Sequence, residues 1–396
     1  MPVTVRLLLP ILATLAASVP AAAAAVVAPL VVRAVAPVDP VQGADARLHL
    51  AYELLIMNFA SSQVSLDTVE ALDAATETVV ARMQGPDLGG MLRLAGGAGG
   101  TAIGAGASAT LFMDVSLPAG ARAPRALSHR FAITVAPGAT PPPEPGDRDP
   151  SPPAAKAITF VGAPVGVAQR RAVVLSSPLR GPRWLVANGC CTPITAHRGA
   201  TLPIDGTIRV AERFAIDFVQ LAADGRLFTG DKSQLSSYAF YGVEVLSVAR
   251  GIVVETENAL PEQVPATRPP DATISNAAGN HVIVDIGDGR FALYAHLQPG
   301  SVRVRKGDHV RRGQPLGLLG NSGNTDAPHL HFHVMDAPSP LVANGLPYVL
   351  ASFTGEGRLT NEDALWNGEP ATIDRGALAG AHADQLPLDD EIVAFP

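Results

Sequence analysis

Polar and apolar side chains alternate over 329–333, His-Leu-His-Phe-His, directly behind a Gly- and Asn-rich turn at 320–328. A period of two is that of a strand, so His329, His331 and His333 share one face while Leu330 and Phe332 share the other. Same-face neighbours stand roughly 7 Å apart along a strand, close enough for adjacent imidazoles to serve one site. Three in register on an otherwise apolar strand predict chemistry rather than a solvated face. Runs with β-branched enrichment and turn residues between them recur at 209–220, 242–249, 251–257, 281–286, 291–296 and 314–319. Gly287-Asp288-Gly289 has the composition of a hairpin turn. Upstream, 47–59, 77–83, 109–117 and 127–135 form a separate series of short runs bounded by Gly, Pro, Asp or Ser, which predicts an immunoglobulin-like sandwich. No helical period of convincing length interrupts either half.

The pattern breaks at 139–154, a proline-rich stretch that cannot join a ladder and reads as a polyproline-type linker. The expected organisation is therefore an N-terminal immunoglobulin-like β-sandwich over 26–138 and a second β domain over 155–350, with its motif-bearing core at 206–340. Strands expected at 157–161 and 171–175 are assigned to the second domain. Residues 351–396 are acidic and punctuated by Pro and Gly, and read as a C-terminal tail. Residues 1–25 combine Arg6, an apolar run over 7–19 and several Ala-x-Ala sites, the pattern of a secretory signal peptide. The run is shorter than the ~20 residues of a spanning helix, and no cysteine stands where lipid attachment requires one. An exported protein, periplasmic or extracellular and without a membrane anchor, is expected.

Composition supports an all-β chain. With 5% aromatic residues, 38 Gly and 35 Pro in 396 residues, many short strands and turns are favoured over long helices. A net charge of -7 and the lack of any Lys/Arg run argue against nucleic acid or another polyanion as partner. Cys190 and Cys191 are adjacent, which leaves a local disulfide, an intermolecular pair and two thiols open.

Between 242 and 334 the chain resembles the M23 metallopeptidases, the lysostaphin-like or LytM-type zinc endopeptidases of bacterial cell walls. The resemblance is carried by Gly279-Asn280-His281-Val282-Ile283-Val284, Tyr294-Ala295-His296-Leu297, Val304-Arg305-Lys306-Gly307-Asp308, Arg312-Gly313-Gln314, Gly320-Asn321-Ser322-Gly323 and His329-Leu330-His331-Phe332. It implies an antiparallel β-sheet of lysostaphin-like, split-barrel or duplicated-hybrid-motif type, one zinc ion per site, and hydrolysis of peptide bonds in peptidoglycan cross-links or bridges. It also implies Asp217 and His331 as zinc ligands and His296 and His329 as the catalytic pair. Loops from 222–240 and 256–278 are expected to wall the groove.

Arg213 stands where the family's HxxxD motif has its first ligand His. A guanidinium has no acceptor lone pair, whereas catalytic zinc takes three protein ligands and keeps one position open. His197, in a loop twenty residues before Asp217, is the favoured substitute, with His281 and His309 behind it. His333 occupies a position that is commonly acidic in the family, and a surface role is expected for it. His49 and His129 read as ordinary strand residues. Neither HExxH nor GxSxG occurs, so thermolysin-type and serine-hydrolase chemistry are unsupported. The competing reading is a zinc-free module of the same fold that binds peptidoglycan or activates another cell-wall hydrolase, an amidase. Arg213 favours it; the presence of Asp217, His296, His329 and His331 opposes it.

Overall fold

A computed structural model describes residues 25–137 and 154–396, apart from 98, 193, 268, 270–272 and 377. The stretches read as signal peptide and linker lie outside the described residues but for the last residue of each. The chain is all-β. Its helices among the described residues are short, and none is long and apolar enough to cross a membrane.

The N-terminal sandwich is built from strands that include β1 (Leu48–Asn58), β2 (Val64–Asp73), β3 (Ser108–Leu117), β4 (Ala126–Val135) and β5 (Lys156–Gly166). β1 lies antiparallel to β3, from Leu48 opposite Leu117 to Met57 opposite Ser108. In the second sheet β4 is flanked by β2 and β5. Alternate residues point inward, so Leu50, Tyr52, Leu54 and Ile56 of β1 meet Leu66 and Val69 of β2 and Phe131 and Ile133 of β4 in one core. β5 corrects the expected boundary. Lys156 to Gly166 pair with Val135 back to Ala126, and Phe160 stacks on Phe131 with centroids 5.1 Å apart. The proline-rich stretch thus joins two strands of one sheet, and the second domain begins only after β5. Proline content marks where a ladder stops, not which sheet resumes it.

The second domain is arranged around β6 (Gly181–Ala187), α1 (Ala196–Gly199), β7 (Ile216–Gln220), β8 (Gly251–Glu257), β9 (Asn280–Gly287), β10 (Arg290–Leu297), β11 (Leu330–Met335), β12 (Phe353–Leu359) and β13 (Glu391–Phe395). These strands run β8-β9-β10-β11-β7-β6-β13-β12 across one antiparallel sheet. Gly287 pairs with Arg290 across a two-residue turn in which Asp288 (φ 53°) and Gly289 (φ 67°) both have positive φ, as a type I′ hairpin requires. Residues 351–396 pack against the second domain. β13 lies between β6 and β12, with Ile392 and Val393 fully buried, so the acidic residues of 351–396 decorate loops around a core strand.

The two domains meet where β1 and β3 face the segments around α1 and the approach to β7. Arg213 donates from Nη2 to Glu53 Oε2 at 2.5 Å and from Nη1 to Pro37 O at 3.1 Å. Arg198 donates from Nη1 to Cys191 O at 2.6 Å and from Nη2 to Met113 O at 3.2 Å. Thr192 Oγ1 donates to Asp114 at 2.6 Å. Cys190 and Cys191 form a disulfide with each other.

Candidate active site

β11 lies between β7 and β10, and its register sets His331 opposite Asp217 on one side and Ala295 on the other. Directly opposed residues share a face, so alternation brings His329, His331 and His333 to the face of Asp217. Leu330, Phe332 and Val334 go to the opposite face, where they are fully buried with Ile216, Phe218 and Tyr294.

Asp217 is the hub. Its Oδ1 is 3.0 Å from His331 Nδ1 and 3.2 Å from His329 Nε2, while its Oδ2 is 3.2 Å from His197 Nε2. His197 arrives on α1, whose N-cap Thr195 accepts from Arg198 N. The His197 and His331 rings meet edge-on with centroids 4.8 Å apart. His296 comes from β10 against the alternation. Ala295 already faces the site, so a regular strand would send His296 to the other side, but its φ of 61° turns it back. Its ring centroid lies 4.6 Å from that of His329 and 5.7 Å from that of His331.

Backbone carbonyls fix three of the tautomers. His197 Nδ1–H donates to Asn188 O at 2.9 Å and Ala215 O at 3.1 Å, His296 Nδ1–H to Ser322 O at 2.7 Å, and His329 Nδ1–H to Ala327 O at 2.8 Å. Nε2 of His197 and of His329 is thereby turned to Asp217, and Nε2 of His296 is left as the acceptor of its ring. His331 instead presents Nδ1 to Asp217, and its Nε2 is 2.7 Å from His333 Nδ1. His333 is fully buried, which corrects the surface role expected for it; its Nε2 has no hydrogen-bond partner among the described residues. A period of two tells which face a histidine takes but not whether water reaches that face.

Charge sorts the imidazoles. Burial opposes protonation of His197, but the charge and hydrogen bond of Asp217, with Glu212, outweigh it and raise the imidazole to about 9. His329 is raised as well, its burial overcome by Asp217. His296 and His333 are held well below the usual histidine range, by burial first and then by the neighbouring imidazoles. Asp217 itself stays well below the ordinary carboxylate range because His197 and His329 outweigh its burial.

The donor set fits a zinc ion. One oxygen of Asp217 and one ring nitrogen each of His197 and His331 lie within 4.8 Å of one another, an N/O set of the kind zinc takes. The outer nitrogen of His197 is already committed to backbone carbonyls, as a ligating imidazole requires. Arg213 has no place in this group, since its guanidinium is turned to the sandwich. His281 donates to Gly279 O and lies 3.4 Å from Glu255, and His309 is exposed; neither joins the cluster. His49 lies between Asp45 and Asp114, and His129 bonds Tyr52 Oη at 2.6 Å. A third ring of groups escaped the sequence reading. Asn188 donates to Asp217 Oδ2 at 2.9 Å while its carbonyl holds His197, and Glu212 Oε1 lies 3.9 Å from His331 Nε2. The Asn188-Gly189 pair is a turn signal, but nothing in it points to a carboxylate 29 residues away.

The cluster floors a cavity of about 380 Å³. Leu202, Ala277, Ala278, Asn324 and Leu341 line its sides, so among the described residues 256–278 contributes only through residues next to β9, and 222–240 does not line it.

Residues 235–342 match the model of Peptidase family M23. The matched segment is similar to that family and holds His296, His329 and His331, while Asp217 and His197 precede it. Peptidoglycan DD-endopeptidase ShyA of Vibrio cholerae is 39% identical over 66 residues, 17% of this chain and 15% of ShyA. Cell division protein DipM of Caulobacter vibrioides is 32% identical over 112 residues, 28% of this chain and 16% of DipM. Murein hydrolase activator EnvC of Escherichia coli is 42% identical over 53 residues, 13% of this chain and 12% of EnvC. The chain thus spans well under a quarter of the length of each of these relatives.

Proposed function

We propose that the protein is an exported zinc metalloendopeptidase that hydrolyses peptide bonds in bacterial peptidoglycan cross-links or bridges. The observation that carries this reading is the approach of His197 Nε2 and His331 Nδ1 to the two oxygens of one carboxylate, Asp217. These three residues would hold the zinc. When bound, zinc supplies Lewis acidity toward a carbonyl oxygen and lowers the pKa of water.

The remaining work falls to His296 and His329, whose environments push their basicities apart. His296 is kept neutral and its Nδ1–H is committed to Ser322 O, so Nε2 is an acceptor that takes the proton of the attacking water. His329 is biased toward imidazolium by Asp217, so Nε2–H donates to the developing oxyanion and then to the leaving amine. The name of ShyA supports a peptidoglycan peptide as substrate.

A second reading, a zinc-free module that activates another cell-wall hydrolase, is favoured by Arg213 and by the similarity to EnvC. Zinc content and muropeptide release from purified sacculi decide between them, measured for wild type, His331→Ala and His197→Ala. The hydrolase predicts about one zinc per chain and soluble muropeptides for wild type and neither for the variants. A wild-type chain that holds no zinc and releases nothing is the activator's result.

A further inference from the structure

Two cations beside the site share a carboxylate in the other domain. Arg198 follows His197 directly, and Arg213 lies four residues before Asp217. Both are buried, and both approach Glu53 of β1, Arg213 Nη2 at 2.5 Å from Oε2 and Arg198 Nη2 at 3.9 Å from Oε1. Glu53 is itself fully buried in the sandwich. Two neighbouring guanidiniums in a water-poor interface repel each other, and Glu53 is the counter-charge they share; backbone carbonyls and, for Arg198, Asp114 supplement it. The segments they belong to deliver His197 and Asp217, and loss of Glu53 removes the charge common to both.

We infer that Glu53 is a positioning residue for the metal site: the N-terminal sandwich supplies the charge that holds Arg198 and Arg213, and through them the ligands His197 and Asp217. Arg213 has therefore not simply vacated the ligand position. It ties the ligand-bearing segment to the sandwich, while the ligand comes from α1 next to the second anchored arginine. The inference rests on the zinc reading above.

The test is zinc affinity of the full chain by competition with a chromophoric chelator, at a temperature well below unfolding, for wild type, Glu53→Gln and Asp39→Asn. Asp39 is buried and pairs with Arg170 at 3.1 Å, two residues from the Pro37 carbonyl that receives Arg213, so its variant weakens a nearby buried ion pair while leaving Glu53 and both arginines in place. Glu53→Gln is expected to bind zinc at least 10-fold more weakly, the usual range for a group that orients a ligand, with Asp39→Asn within about 2-fold of wild type. If Glu53→Gln does not fold, Glu53→Gln with Arg213→Met removes the 2.5 Å pair together while still taking Glu53 from Arg198, and the same loss is expected. Equal affinity in wild type and either Glu53 variant overturns the inference, as does an equal loss in Asp39→Asn. A wild-type chain without zinc affinity overturns the zinc reading and this inference with it, which separates the two failures.

Discussion

His197 Nε2 stands 3.2 Å from Asp217 Oδ2, while His331 Nδ1 approaches the other oxygen, Oδ1, at 3.0 Å. Of the three residues proposed to hold zinc, the sheet provides only Asp217 and His331. The third donor comes from a four-residue helical turn that the sheet does not contain.

His197→Ala is accordingly expected to lower zinc affinity by at least about 100-fold, beyond the 10–100-fold typical of supporting groups, and to abolish muropeptide release. His281→Ala, which removes the histidine bonded to Gly279 O, should leave both unchanged. Metal analysis after exhaustive dialysis checks this; zinc retained by His197→Ala would return the third ligand to an unknown residue.

His296→Ala and His329→Ala should each keep zinc while kcat for peptide release falls by roughly 10²–10⁴-fold, the range of general acid–base groups. Because the two are assigned opposite proton-transfer roles, the double variant should be scarcely worse than the poorer single. Loss of zinc in either single variant would move that histidine from catalysis to ligation.

His49 gives the sandwich a pH signature. Burial opposes its protonation, but Asp114 and Asp45 outweigh burial and raise it from 6.5 to about 9. A proton held more tightly in the folded state stabilises fully below about pH 6.5 and is lost as pH rises through about 9, on the order of 3 kcal/mol. Thermal denaturation should show wild type losing more stability than His49→Gln between pH 6 and pH 9.5. Parallel losses in the two would remove the pair from the account.

Ile392→Ala should cost about 2–4 kcal/mol, since Ile392 is fully buried on β13 opposite Leu185 of β6. Chemical denaturation checks it. A change below about 0.5 kcal/mol, the value for exposed sites, would make 391–395 a peripheral strand.

The parts of this molecule that were legible in sequence are those fixed by local rules. Alternation places His329, His331 and His333 on one face, the Asp288-Gly289 pair marks the β9–β10 turn, and lone-pair chemistry rules out Arg213 at the ligand position that the family resemblance implies. What was not legible depends on contacts distant in the chain. Glu53 meets Arg213 across 160 residues, Asn188 meets Asp217 across 29, and neither residue type announces a partner. The turn at His296 requires a positive φ that histidine seldom adopts, so strand periodicity assigns it to the wrong face. The strand expected at 157–161 pairs in the sandwich rather than in the second domain because hydrophobic pattern identifies a strand without naming its neighbours.

The insertion of β13 between β6 and β12 bears on when the site can exist. β6 ends at Ala187, next to the Asn188 that holds both His197 and Asp217, and its outer edge stays open until a strand some two hundred residues later in the chain reaches it. Pairings of such sequence separation are slow to form. On the proposed reading of an exported peptidase, a chain lacking residues 391–395 would carry all its histidines yet leave the strand next to Asn188 without its outer neighbour.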